Sequence, residues 1–238
     1  DFYQREKIDP KIMLHKLIME GSEEEAIELL ENNADVDVNF EFNYNAPIML
    51  AIEKTMLKLF NIIINHPKFD SEVMDGFGST ILTKLMYDCY DDSYTEKQHN
   101  NVVAMIRMCL DSGKFDLNKQ DLNEDSVVNI AANSPMCFDF FNELVHNPEV
   151  DINIVNDFNC SALGQAIRVQ NIEAIKLLAQ RPDFKIREED NILAENFKVD
   201  LKSIVSSVTE RIDFSERKKE VDTELANVLS KVFSGRRK

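Results

Sequence analysis

Two runs of acids, four cysteines and four histidines are the residues of this chain that could do chemistry. Asp91-Asp92 and Glu188-Glu189-Asp190 carry the adjacent carboxylates that acid/base catalysis or a hard cation would use, but no nucleophile or further ligand recurs beside either. Adjacent acids of this kind are mostly solvated. Cys89, Cys109, Cys137 and Cys160 stand far apart and the histidines are scattered, which fits neither a zinc site nor a small disulfide framework. Cysteines inside apolar runs, as in Met108-Cys109-Leu110, read as small core residues. Four unpaired thiols point to a reducing intracellular compartment, the cytoplasm first, with a secreted effector as the other destination in view. The sequence also lacks a Gly-x-Ser-x-Gly elbow, a phosphate-binding glycine loop ending in Lys-Ser/Thr and a His-Glu-x-x-His pair. No catalytic residue, metal site or cofactor is predicted.

Composition narrows the partners. With 44% hydrophobic and 29% charged residues, the 238-residue chain reads as folded and soluble rather than disordered. Aliphatic runs such as Ile62-Ile63-Ile64 are far too short to cross a bilayer. The net charge of −16 argues against nucleic acid, whose phosphates need a concentrated basic patch. Residues 1–187 hold 17 basic and 32 acidic side chains, net −15, whereas 188–238 hold 10 and 11, net −1. A basic polypeptide partner would be steered to the first part, although a solvated acidic face is the plainer reading. No targeting segment opens the chain, and its first residue is Asp1 rather than Met, so flanking domains are expected.

What must position any site is a repeat. Five segments align: Ile12-Met13-Leu14-His15-Lys16-Leu17, Ala46-Pro47-Ile48-Met49-Leu50-Ala51, Thr80-Ile81-Leu82-Thr83-Lys84-Leu85, Ser126-Val127-Val128-Asn129-Ile130-Ala131 and Ser161-Ala162-Leu163-Gly164-Gln165-Ala166. Their starts are separated by 34, 34, 46 and 35 residues, so one interval holds an insertion. Five residues upstream of the later four stand Glu41, Asp75, Asp121 and Asn156, and three further on Tyr44, Gly78, Glu124 and Asn159. Downstream, Ala26–Leu30 and Ile172–Leu178 place apolar residues at helical spacing. Pro67, Pro148 and Pro182 follow where a helix must stop.

Each segment resembles the Thr-Pro-Leu-His-x-Ala opening of the ankyrin repeat, and the upstream Asp and Gly slots extend the match over residues 7–187. The resemblance implies an all-α solenoid of about five turn–helix–helix repeats, near 7–40, 41–74, 75–120, 121–155 and 156–187, each burying its apolar face against its neighbours. Several slots depart from the family. Only His15 fills the His position, where the other copies have Met49, Thr83, Asn129 and Gly164, so the hydrogen bonds of that slot are expected to be lost in most copies. Only Gly78 fills the turn glycine. Asn159 tolerates positive φ, while Tyr44 and Glu124 are less suited and their turns are expected to differ in shape.

The insertion lies at 88–101, between the two helices of the third repeat, and reads as a solvated acidic excursion or as a contact for a basic ligand through Tyr90 and Tyr94. Another period falls near 195, with Asp190 in the Asp slot and Phe197 in the Leu slot of a degenerate sixth copy. Leu201, Ile204, Val205, Val208 and Ile212 then recur at helical spacing. Ser215 reads as the N-cap of a second stripe, Val221, Leu225, Val228, Leu229 and Val232, before a basic tail at 235–238 that is predicted to fray. Residues 188–238 are therefore expected to form a helical cap, the alternative being a partner-binding amphipathic helix.

The resemblance also implies a non-catalytic module that binds another protein, on the concave side made of turn tips and first helices. Carried over slot by slot, the contacts are Phe42, Asn43, Glu53 and Lys54 in the second repeat, Phe77, Tyr87 and Asp88 in the third, Leu122, Asn123 and Asn133 in the fourth, and Asp157, Phe158 and Arg168 in the fifth. Each internal turn thus carries one large apolar residue among acids and amides, as a binding hot spot requires, unless each packs against the next turn. A monomer is expected in isolation. The other readings are a recognition domain of a larger enzyme or effector and a structural subunit of a stable complex.

Overall fold

Four of the five repeated segments become short helices because an apolar run follows directly on a residue that starts it: a capping side chain at Asp9, Thr80 and Ser161, and a proline in the first helical position after Ala46. The computed structural model describes residues 8–212 together with Ser215, Glu216, Lys219 and Thr223. The stripe expected from Val221 to Val232 and the tail at 235–238 lie outside the described residues. Five helix pairs follow one another: α1 (Pro10–Glu20) with α2 (Glu23–Asn32), α3 (Pro47–Glu53) with α4 (Leu57–Ile64), α5 (Ile81–Asp88) with α6 (Glu96–Ser112), α7 (Val127–Ala132) with α8 (Phe138–His146), and α9 (Ala162–Arg168) with α10 (Ile172–Leu178). Then come α11 (Glu188–Phe197) and the helical residues 201–212. Caps are visible in the side chains: Asp9 accepts from Lys11 N–H, Thr80 and Thr83 form a capping box, and Ser161 accepts from Gly164 N–H.

Packing runs from neighbour to neighbour. The first helices stack in the order α1, α3, α5, α7, α9, α11, while α2 packs on α4, α4 on α6 and α8 on α10. A first helix is therefore enclosed on several sides, and every residue from Pro47 to Ile52 and from Val127 to Ala132 is buried. The second helices bury only one face, as α4 does with Leu59, Phe60, Ile63 and Ile64. Phe60 and Phe141 are the largest fully buried side chains, each worth about 2–3 kcal/mol of transfer free energy.

The turns entering the repeats are built by the upstream acid or amide. Asp75 Oδ1 accepts from the N–H groups of Phe77 and Ser79, Asp121 Oδ1 from Asn123 and Asp125, and Asn156 Oδ1 from Phe158 and Cys160. The residue three after each then has positive φ: Gly78 at 76°, Glu124 at 58° and Asn159 at 54°. Glu124 thus keeps the shape of its neighbours, against expectation. The second turn does differ. Glu41 is too long to close such a ring, and the chain instead makes a two-residue hairpin, with Asn43 at 51° and Tyr44 at 64° and paired backbone bonds between Phe42 and Asn45.

Hydrogen bonds also cross from repeat to repeat at the base of these turns. Asn39 donates to Lys68 C=O and accepts from Asp70 N–H; Asn118 does the same with Glu149 and Asp151, and Asn153 with Asp183 and Lys185. In the third copy Glu72 holds this slot, and Lys119 reaches back to its carbonyl and carboxylate, at 3.0 and 2.6 Å. The His slot is replaced rather than lost in one copy: His15 Nε2 lies 2.9 Å from Asn45 O, and Asn129 Nδ2 lies 3.4 Å from the equivalent Cys160 O. At Gly164 the slot is empty because a Cβ would meet Cys160 Sγ at 2.7 Å and Asp190 Oδ1 at 3.4 Å.

Three expectations change. Much of the insertion is helix: Thr95 and Gln98 form a capping box, so α6 starts at Glu96 and Asn101 donates to Thr55 C=O. The sixth unit starts at Glu188, not near 195, because the chain passes from α10 to α11 without a turn tip; Asp190 occupies the His slot, fully buried against Arg187 and Ser161. Phe197 accordingly ends the helix. Ser215 is helical, and its hydroxyl donates to Ile212 C=O rather than accepting as a cap. Leu201 and Val208 are buried, as their stripe predicts.

The left-handed slots make opposite predictions for two substitutions. Gly78→Ala would place a methyl group 2.5 Å from Leu122 Cβ at a positive φ, and should lower unfolding free energy by about 1–2 kcal/mol or more. Glu124→Gly should raise it by about 0.5–1 kcal/mol. Urea denaturation of the two variants beside the parent checks both signs.

Candidate functional site

The turn tips project their apolar residues into solvent. Phe42 is 47% exposed, Phe77 86%, Leu122 74% and Phe158 73%, so they do not serve mainly to pack one turn on the next. The backbones of the last three tips, by contrast, are tied together: Leu122 N–H donates to Gly78 C=O at 3.0 Å and Asp157 N–H to Asn123 C=O at 3.1 Å. Tyr44, 80% exposed, seats its Cβ over Gly76, 2.9 Å from where a side chain would begin. The tips thus form a row of exposed apolar groups on held turns, a form in which little backbone ordering remains to be done on binding.

Beside this row, at the ends of α5 and α7, lies a cluster of tyrosines and acids. Tyr87 OH donates to Asp125 Oδ2 at 3.1 Å and faces Asp121 Oδ2 at 3.4 Å. Tyr90 meets Tyr87 edge-on with ring centroids 6.3 Å apart. Tyr94 lies near Asp88, which is buried and held by Lys84 Nζ at 2.5 and 2.6 Å. The tyrosines of the insertion are therefore half-buried against the core rather than carried on a solvated loop.

Burial governs the titration of this cluster. It raises the Tyr87 phenol well above its ordinary value, with Asp125 and Asp121 adding to the effect. Tyr90 and Tyr94 are each pushed up to about 12, by burial first and then by neighbouring charges, Asp88 among them. Burial also raises the Asp88 and Asp125 carboxyls, against the hydrogen bonds of Lys84 and of Asn156 with Tyr87 respectively. Asp91 and Glu53 act on Tyr94 and Asp157 on Asp125, so acids predominate around the cluster, with Lys84 paired to Asp88 and Lys54 to Glu53.

The residues expected from the sequence do not all meet. Phe42, Asn43, Phe77, Leu122, Asn123, Asp157 and Phe158 share the tips and are exposed. Glu53 and Lys54, paired at 3.4 Å, together with Asn133 and Arg168, are exposed at the ends of the first helices α3, α7 and α9. Tyr87, Tyr90 and Tyr94 join as one half-buried cluster, and Asp88 lies beneath it as an interior ion-pair partner. Sequence reasoning missed Asp125 and Asn156 as members, joined by a 2.8 Å hydrogen bond; the Asp-x-x-x-Asp spacing of Asp121 and Asp125 before Ser126 was the available signal. A cleft of about 570 Å³ lies elsewhere, between α8, α10 and the loop after α10, where Arg181 is occupied by three backbone carbonyls.

Among the described residues no group of three or more His, Cys, Asp or Glu is placed to hold a metal ion, and no helix is long and apolar enough to cross a membrane. All four cysteines are free and buried, and the Cys137 thiol donates to Met86 C=O.

Stacked turn–helix–helix units with tips tied along one edge are the architecture of the ankyrin repeat, and that is the fold of this chain. It is similar to the solved ankyrin repeat domain from Acinetobacter baumannii, with a TM-score of 0.63, covering 82% of this chain and 97% of that one at 15% sequence identity. No protein-family model matches the chain. No curated protein matches it either.

The raised Asp125 carboxyl gives a signed pH prediction. The folded state holds its proton more tightly than the unfolded state, so this group's contribution is full below the ordinary carboxylate pKa and is lost as pH rises through the raised value. Asp125→Asn can accept from Asn156 through its one amide oxygen and donate its NH2 to the Tyr87 oxygen, whose hydroxyl then turns to Asp121, without burying a charge. Urea midpoints measured across that window should show the variant gaining on the parent as pH rises to neutral; a variant less stable at every pH would contradict this.

Proposed function

We propose that this chain is a non-catalytic protein-binding module that captures a basic polypeptide segment on the face shared by the turn tips and first helices, the concave side implied by the ankyrin resemblance. The observation that carries the reading is the row Phe42, Phe77, Leu122 and Phe158, exposed at the turn tips, the last three on tied backbones, beside the acid–tyrosine cluster. Rigid aromatic anchors in a polar surround are what concentrates binding energy in an interface. The acids steer a basic partner in, and the tyrosine faces offer cation–π contacts to Lys or Arg. The negative charge of the repeats favours a monomer and a protein ligand over nucleic acid. Four free buried thiols suit a reducing, intracellular setting.

Selection of random displayed peptides on the immobilised chain tests this reading. Enriched sequences should be rich in Lys and Arg, and a synthetic consensus peptide should bind the Phe77→Ala/Phe158→Ala variant at least tenfold more weakly. That follows from roughly 1–2 kcal/mol per truncated anchor. Equal binding to parent and variant would remove the tips from the contact surface.

A further inference from the structure

Among the described residues no turn tip precedes α1, and part of that helix is exposed. Ile12 is 42% exposed and Met19 57%, one face of α1. Together with Phe42 they wall a cleft of about 360 Å³ whose floor is Leu50, 4% exposed, and the ring of His15. His15 is fixed there: its nitrogens engage Lys11 O at 3.1 Å and Asn45 O at 2.9 Å, and its ring meets Phe42 at 5.9 Å. The volume sits at the small end of ligand pockets, roughly 300–1,000 Å³, a size suited to one or two large side chains.

Glu53 connects this cleft to the rest of the face. It lines the cleft at the end of α3 and also acts on Tyr94 across the third repeat. Asp91, exposed in the third repeat, acts on the same half-buried Tyr94. An apolar socket at one end and an acid–aromatic strip at the other form a polarised track.

We propose that the cleft is the anchor socket for a polypeptide segment that carries a large apolar side chain flanked, on one side, by Lys or Arg. The apolar residue seats between Ile12, Met19 and Phe42, and the basic residues run past Glu53 toward the third and fourth repeats. Charge complementarity selects this occupant. A second copy of the chain would bring another net −15 repeat array against the first, whereas a basic segment is attracted along the whole track. The proposal rests on the peptide-binding reading above and adds the class of residue recognised and the direction in which the segment lies.

The test uses the same displayed random peptides on the whole chain and on an Ile12→Ser/Met19→Ser variant, both sites being exposed enough for the fold to persist, which a thermal melt checks. The expected consensus holds one Leu, Ile, Met or Phe to one side of a Lys/Arg run. Replacing that residue by Ala should weaken binding to the parent at least tenfold and leave binding to the variant little changed, since the two changes remove the same contact. Two results overturn the socket alone: basic peptides enriched with no apolar position, or an Ala substitution that costs as much on the variant as on the parent. Sedimentation showing a dimer that the variant loses would give the cleft to a second copy instead. If no peptide is enriched on either protein, the peptide-binding reading itself fails, and the socket with it.

Discussion

Every internal repeat of this protein is entered through a turn that must reverse the chain on a residue of positive φ, and the structure depends on how that demand is met. Gly78 meets it without a steric penalty. Asn159 meets it with little, and Tyr44 and Glu124 against the preference of an L side chain. Where a short acid or amide stands three residues earlier, its carboxyl or amide oxygen holds two amides and the turn is overdetermined. With Glu41 in that place the turn takes another closed form. In each case the tip residue is thrust outward while its backbone is tied inward. Exposure of the apolar tips is thus a consequence of turn chemistry, and it persists through slots where the family's usual residue is missing.

The rest of the stability comes from repetition. A seven-residue first helix cannot persist alone, since helix nucleation is costly and short helices are marginal in water. Enclosure between neighbouring repeats removes that limit, which is why α3 and α7 can be apolar nearly all round. The asparagines Asn39, Asn118 and Asn153 fix the spacing of adjacent units by holding one acceptor and one donor of the next. The array stays closed to slippage even where the His slot is Met49 or Gly164.

The fold was legible because register survives substitution. Five apolar segments at near-constant spacing require a stacked unit whatever occupies a single slot. What escaped was decided by local competition. The polar stretch after Tyr94 reads as loop, yet the Thr95–Gln98 capping box turns it into two extra turns of α6. The sixth unit was misregistered because the chain drops a whole turn tip before Glu188, and a fixed period cannot report a deletion. The candidate site was half legible. The tip residues follow from the repeat slots, whereas the union of Tyr87, Tyr90 and Tyr94 with Asp121 and Asp125 depends on where the insertion folds back. The burial of Asp88 depends on an i,i+4 partner, Lys84, whose direction is set only by packing.

The central claim is that stiff tips and first helices make the docking face. Amide hydrogen exchange, with and without a basic peptide selected on the chain, tests it most directly. The account predicts that bound peptide slows exchange at the tips, over residues 42–45, 75–79, 121–125 and 156–160, and near the ends of α3 and α5. Protection confined to the outer helices α2, α4, α8 and α10, with the tips unchanged, would contradict it.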